Sequence, residues 1–197
     1  MPGSSRRELV LFVCTANRAR SPLARLICED RLRAHDRRGV IVRSAGTHVE
    51  AAHSAIEEVA RAAEQIGLKA PPDVVRALDA EMIRRATLII AMTEAQRARI
   101  VRLAPASVGR TFTLIEINRL LAAHPADTEH LAQFAKVMNR ARAITPAPSA
   151  PEDIPDPAGR PLRQYQRLAT LLSELIEPLV AHISSVAPGP ERASSAT

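Results

Sequence analysis

The sequence predicts an α/β fold: a three-layer sandwich in which a four-stranded parallel sheet carries helices on both faces. Two observations predict it. Four short apolar runs, each suited to a buried strand, alternate with segments whose apolar residues recur at helical spacing. Strands that alternate with helices form parallel sheets whose crossovers cover both faces. The right-handed crossover rule then leaves few topologies. No internal repeat competes with this reading.

"LVLFV" (9–13) is the first strand, a short apolar run followed by a polar stretch. Ser21-Pro22 opens the first helix, because serine caps helix N-termini and proline suits the first turn. Leu23, Leu26, Ile27 and Cys28 continue one helical face to about Ala34. Gly39 precedes the second strand, "VIVRSAG". Ile56, Val59, Ala60, Ala63 and Ile66 predict a helix over 54–66, stopped by Gly67. "PPDVVRAL" is a loop, and Asp79 begins a short helix through Arg85. "ATLIIAM" is the third strand. Thr93 and Gln96 form a capping-box pattern for a helix to about Leu103. "RTFTLIEI" is the fourth strand, shading into a helix through Ala123, and residues 127–142 read as helical. "ITPAPSAPEDIPDPAGRP" holds six prolines and is a long loop. The last helix covers about 161–184. One domain is expected over 1–184, with residues 185–197 as a disordered tail.

Composition narrows the function classes. Apolar residues make up 46% and aromatics 2%, so Leu, Ile, Val and Ala must fill the core. No stretch approaches the roughly 20 apolar residues that span a bilayer. The N-terminus lacks a signal-peptide pattern, so a cytoplasmic protein with no membrane partner is expected. Two cysteines, Cys14 and Cys28, make no disulfide framework and no CxxC pair. The six histidines form no HExxH or Cys/His cluster, so neither a metal nor another cofactor is expected. The net charge is +6, almost all of it from arginine. With one tyrosine, three phenylalanines and no tryptophan, bases have little to stack on, and no nucleic-acid partner is expected.

The chemistry is carried by Cys14-(x)5-Arg20-Ser21, placed between a parallel strand and a helix N-terminus. Ligands of such sheets bind beyond the carboxyl ends of the strands. Amides at a helix start point outward with the positive end of the dipole. The loop Thr15, Ala16, Asn17, Arg18 and Ala19 is therefore a candidate phosphate-binding loop whose amides wrap one tetrahedral oxyanion. Arg20 would add a planar fork to two phosphate oxygens. The same field favours a thiolate over a thiol, which makes Cys14 a nucleophile beneath the bound phosphate. Ser21 would hydrogen-bond the thiolate and help the sulfur leave.

At these residues the chain resembles the low-molecular-weight protein tyrosine phosphatases. That family carries V-C-x-G-N-x-x-R-S-P after its first strand; here it reads Val13-Cys14-Thr15-Ala16-Asn17-Arg18-Ala19-Arg20-Ser21-Pro22. "SAGT" (44–47), "LIIAM" (88–92) and "DIPDPAG" (153–159) continue the resemblance over roughly residues 8–180. It implies a cysteinyl-phosphate intermediate, no metal, and a phosphotyrosine protein or small phosphomonoester as substrate. It also implies roles. Asn17 would brace the loop by side-chain hydrogen bonds, with Ser44 behind it in the same network. Asp156, directly before Pro157, would be the general acid and then the base, with Asp153 as its rival.

The chain departs from the family pattern at several positions. Ala16 stands where glycine is usual, Ala19 where many members have a second cysteine, and Asp73 near where many have a histidine. Ala158 and Glu50 stand where aromatic or large apolar walls are common. The cradle is intact while the aromatic walls are missing, and Arg18 at the rim would favour acidic or extra-phosphorylated substrates. Two other functions compete with the phosphatase. An arsenate reductase of the same fold would need an external low-molecular-weight thiol, because no cysteine follows Cys28. A non-catalytic phosphate-binding module would use only the positive charge.

Overall fold

Strand β1 (Glu8–Cys14) lies inside a four-stranded parallel sheet of order β2-β1-β3-β4, with β2 at Val40–Gly46, β3 at Leu88–Ala91 and β4 at Thr111–Thr113. The computed structural model describes residues 8–36, 39–50, 57–69, 75–128 and 130–185. Residues 186–197 of the expected tail and Asp73 lie outside the described residues, as does the start of the helix expected from 54.

Period-two alternation decides which residues face which layer. Val10, Phe12 and Cys14 of β1 and Leu88 and Ile90 of β3 join one core cluster. It includes residues of α1 (Arg20–Ala34), α2 (Glu57–Gln65), α5 (Leu114–Ala123), α6 (Leu131–Ile144) and α7 (Leu162–Ser185). Leu11, Val13, Ile89 and Ala91 face the opposite layer, with Ile83 of α3 (Ala80–Arg85) and Ile100 of α4 (Glu94–Leu103). β3 is buried throughout and β1 from Val10 to Cys14, which explains their near-continuous apolar runs. Phe12, at 0% exposure, is among the largest buried side chains, and truncating it to alanine would cost about 3–5 kcal/mol.

The chain leaves β1 through α1 to β2 on one side, then crosses to β3 on the other. The carboxyl end of β1 is thus a topological switch point, where the connections diverge and open a crevice. Cys14 is the last residue of β1, paired in register with Gly46.

Several elements differ from their sequence-based expectation for physical reasons. α1 begins at Arg20, with Ala19 at its N-cap and no side-chain cap bond. Ser21 is not the cap, because its hydroxyl is used inside the loop. β4 stops after three residues, and "LIE" is already helical. Thr113 and Glu116 form a full capping box that starts α5 there. The Thr93–Gln96 box is only half formed. Thr93 accepts from the Gln96 N–H, while the Gln96 side chain goes elsewhere. A 3-10 turn (Pro105–Arg110) precedes β4. Arg142 of α6 forks onto Glu116 of α5 at 2.6 and 3.0 Å and lies over the Phe112 ring, tying that end of the molecule together.

Candidate active site

The loop after β1 is built by short-range hydrogen bonds that the residue types dictate. Ser21 Oγ donates to Cys14 Sγ at 3.0 Å, and Asn17 Nδ2 donates to Ser21 Oγ at 2.9 Å. Asn17 Oδ1 accepts the Arg76 N–H at 2.8 Å. Asn17 thereby ties the loop to the segment that bridges β2, where Gly46 N–H donates to Arg76 O. Asn17 holds φ 54°, the left-handed region that asparagine tolerates better than most residues. Ala16 has no positive φ, so the residue expected to be glycine carries no strain here. Among the described residues, no hydrogen bond uses the backbone N–H of Thr15, Ala16, Asn17 or Ala19. Such a row of unused donors at a helix start suits an oxyanion.

Gly46 is required by the close approach of this loop. A Cβ there would lie 2.6 Å from Thr15 O and 2.9 Å from the Ala16 carbonyl carbon. The loop is clipped to the next one by Thr47 N–H to Cys14 O and His48 N–H to Thr15 O, both at 2.9 Å.

Arg20 is nearly buried, at 5% exposure, and aims its guanidinium back over the loop. It donates to Ile154 O at 3.2 Å, to Thr15 Oγ1 at 3.4 Å and to the Asp156 carboxylate. The long loop before α7 is therefore folded onto the site. Three anchors fix it. Arg119 forks onto buried Glu152 at 2.6 and 3.2 Å. Asp153 Oδ1 accepts the Glu94 N–H at the start of α4, at 2.8 Å. Ile154, 1% exposed, donates its N–H to Met92 O at 2.8 Å. Asp156 itself stays half-exposed, its Oδ1 accepting the Ala158 N–H.

The structure brings Cys14, Thr15, Asn17, Arg20, Ser21 and Asp156 together. Ala19 is buried at the N-cap and Arg18 is half-buried beside them. Ser44 is buried in β2, yet among the described residues its hydroxyl makes no hydrogen bond to the loop. The neighbouring Ala45 carbonyl takes that place, lying 3.3 Å from Ser21 Oγ as the alternative acceptor for its one hydrogen. Ala158 and Glu50 are exposed and add no wall. Among the described residues no group of His, Cys, Asp and Glu is arranged to hold a metal.

Sequence reasoning missed two contributors. Gln96 is 5% exposed and bridges the site floor: its Oε1 accepts the Met92 N–H at 3.0 Å and its Nε2 donates to Thr15 Oγ1 at 3.0 Å. A glutamine in a capping position gave no signal for that reach. Tyr165, the chain's only tyrosine, is buried at 2% exposure and its phenol hydrogen-bonds the Gly159 backbone in the turn after Asp156. Burial pushes its pKa up, helped by the Glu58 and Asp156 charges, while the Gly159 hydrogen bond and Arg18 act the other way. Gly159 holds φ 70°, which permits that turn.

The family profile described as low molecular weight phosphotyrosine protein phosphatase matches residues 9–130. A low molecular weight protein-tyrosine-phosphatase of Acinetobacter johnsonii is 30% identical over 105 residues, which cover 53% of this chain and 70% of that protein. A protein-arginine-phosphatase of Geobacillus stearothermophilus is 29% identical over 174 residues, covering 86% of this chain and 95% of its own length. The crystal structure of a low molecular weight protein tyrosine phosphatase from T. tengcongensis superposes with a TM-score of 0.68 at 24% identity, over 88% of this chain and 98% of that one.

Proposed function

The chain belongs to the low molecular weight phosphotyrosine protein phosphatase family, and from that premise we propose that it hydrolyses phosphotyrosine in proteins through a cysteinyl-phosphate intermediate. The observation that carries this reading is the 3.0 Å contact between Ser21 Oγ and Cys14 Sγ beneath a row of unused loop amides. The hydroxyl donates to the sulfur, and the helix start beside it offers its amides to the phosphate that the sulfur would attack. In the first step Cys14 Sγ attacks phosphorus and the bond from phosphorus to the tyrosine oxygen breaks. Asp156 delivers its proton to that oxygen. Arg20 and the loop amides hold the three equatorial oxygens, where charge builds up. In the second step water attacks the phosphocysteine, Asp156 takes its proton, the S–P bond breaks, and inorganic phosphate leaves. Ser21 then hydrogen-bonds the departing sulfur. Asn17 and Gln96 keep the loop in shape through both steps. We place the enzyme in the cytoplasm, where free thiols persist.

Phosphoarginine is the second reading. It is favoured by the alignment with the arginine phosphatase, which spans most of both chains, and by the missing aromatic wall at Ala158. Arg18 at the rim counts against a cationic leaving group. Arsenate reduction ranks below both. Cys28 is the only other cysteine, it is fully buried on α1, and burial pushes its thiol pKa up.

Turnover of matched phosphotyrosine and phosphoarginine peptides, and of arsenate with thiols, tests the reading. Phosphotyrosine hydrolysis should be the fastest. Faster phosphoarginine hydrolysis would install the second reading. Arsenite release without phosphate-ester hydrolysis would overturn both.

A further inference from the structure

We propose that the groove along the start of α7 is a docking subsite for an acidic segment of the phosphoprotein substrate; this rests on the phosphatase reading above. A cavity of about 440 Å³ opens beside the general-acid loop. Asp156 and its two flanking prolines form one wall, Arg160 and Arg167 line it as cations, and Leu168 and Leu171 give it an apolar floor. A second depression of about 410 Å³ shares Arg167 and Leu171 and adds Arg163, with Glu174 at its border. The two share Arg167 and Leu171 and so lie side by side along the start of α7, the first of them bounded by the catalytic acid.

Cations outnumber acids in this lining: three arginines face Asp156 and Glu174, and Asp156 is already paired with Arg20. Arg160, Arg163 and Arg167 are all exposed, and among the described residues none is ion-paired. Other surface arginines, such as Arg25, Arg61 and Arg84, have a carboxylate three or four residues away. Three guanidiniums with open donors over an apolar floor suit carboxylates interspersed with aliphatic side chains. Arginine is also the cation that binds carboxylates through a fork. Because Asp156 bounds the groove, a segment seated in it would lie next to the phosphorylated residue. Such pairs act mainly on encounter and on KM, and fade with salt.

The test uses phosphotyrosine peptides of equal length with Asp/Glu-rich or Lys-rich flanks, beside a small aryl phosphate. Wild type should prefer the acidic peptide by about tenfold or more in kcat/KM, mostly through KM, and lose the preference at high salt. Arg160→Glu with Arg167→Glu should abolish the preference and leave aryl phosphate hydrolysis unchanged. No preference in wild type, or an equal loss on the aryl phosphate, overturns the proposal. A binding measurement separates this idea from the phosphatase reading. A fluorescent, unphosphorylated acidic peptide should bind wild type and not the double variant, whether or not any phosphate ester is turned over. Absence of that binding overturns the subsite even if phosphotyrosine is hydrolysed.

Discussion

Arg20 and Asp156 form an ion pair in which the cation side chain is 6% exposed and the carboxylate 48%. The guanidinium proposed to clamp phosphate is therefore engaged by the carboxylate proposed to protonate the leaving group. Phosphate and Asp156 compete for the same fork, since both are anions seeking parallel N–H donors. Binding of the substrate dianion would release Asp156 while leaving it beside the reacting oxygens. Arg20 keeps its bond to Ile154 O, so its direction is held whichever anion it binds.

Arg20→Lys keeps the charge but loses the planar fork. Turnover is expected to fall at least about tenfold, with an unchanged far-UV spectrum and melting cooperativity. Steady-state kinetics on an aryl phosphate checks this, and an unaltered rate would reduce Arg20 to a structural residue.

The two loop acids should separate cleanly. Asp156→Asn is expected to slow phosphotyrosine hydrolysis by roughly 10²–10⁴, and to slow an activated nitrophenyl phosphate less, because its oxygen leaves without a proton. Asp153 caps α4 through the Glu94 N–H. Asn keeps an Oδ1 that can accept the same N–H, so Asp153→Asn should change both stability and catalysis little. The reverse pattern would mean the loop docks in a shifted register.

Gly46→Ala should damage the site from behind. The new methyl would meet the Thr15 and Ala16 backbone and Val49 Cγ2 at 2.6–2.9 Å, so the loop must move. Overpacking of this kind costs about 1–3 kcal/mol, and phosphate affinity, read by competitive inhibition, should fall with kcat. Retention of full activity would show that the loop tolerates a different path.

His182 gives a pH signature remote from the site. Its ring stacks on Phe134 at 4.2 Å and its Nε2 contacts Thr128 Oγ1 at 3.2 Å. Burial lowers its pKa below the ordinary histidine range, against a smaller upward pull from Asp127. The unfolded chain then binds the proton more readily than the folded one, so stability falls as pH drops through about 6.5. Melting temperature between pH 7.5 and 5.5 should show this slope, and His182→Gln should flatten it. An identical slope in the variant would assign it to another group.

The strands were legible because Val10–Val13 and Leu88–Ala91 are buried on both faces and so run apolar without interruption. The nucleophile, the clamp and the asparagine were legible because loop chemistry needs those side chains at fixed spacing. Ser21 was read both as a helix cap and as a donor to the thiol; its hydroxyl points to the thiol, and the cap position falls to Ala19. Ser44 and the half-formed box at Thr93 were misjudged for a related reason. A motif states which residues are near, and only packing decides which polar atom reaches which partner. Gln96 was read only as a capping residue and Tyr165 carried no signal, since their partners Thr15 and Gly159 depend on how α4 and α7 dock.

The central claim is that Cys14 becomes covalently phosphorylated during turnover. Rapid acid quenching of wild type with a phosphotyrosine substrate, followed by peptide mass spectrometry under conditions that preserve thiophosphate, tests it directly. The account predicts a phosphate on the peptide carrying Cys14 and none on Cys28, with the adduct lengthened in lifetime by Asp156→Asn and absent in Cys14→Ser. Turnover that persists in Cys14→Ser, or a phosphate found only elsewhere, would contradict it.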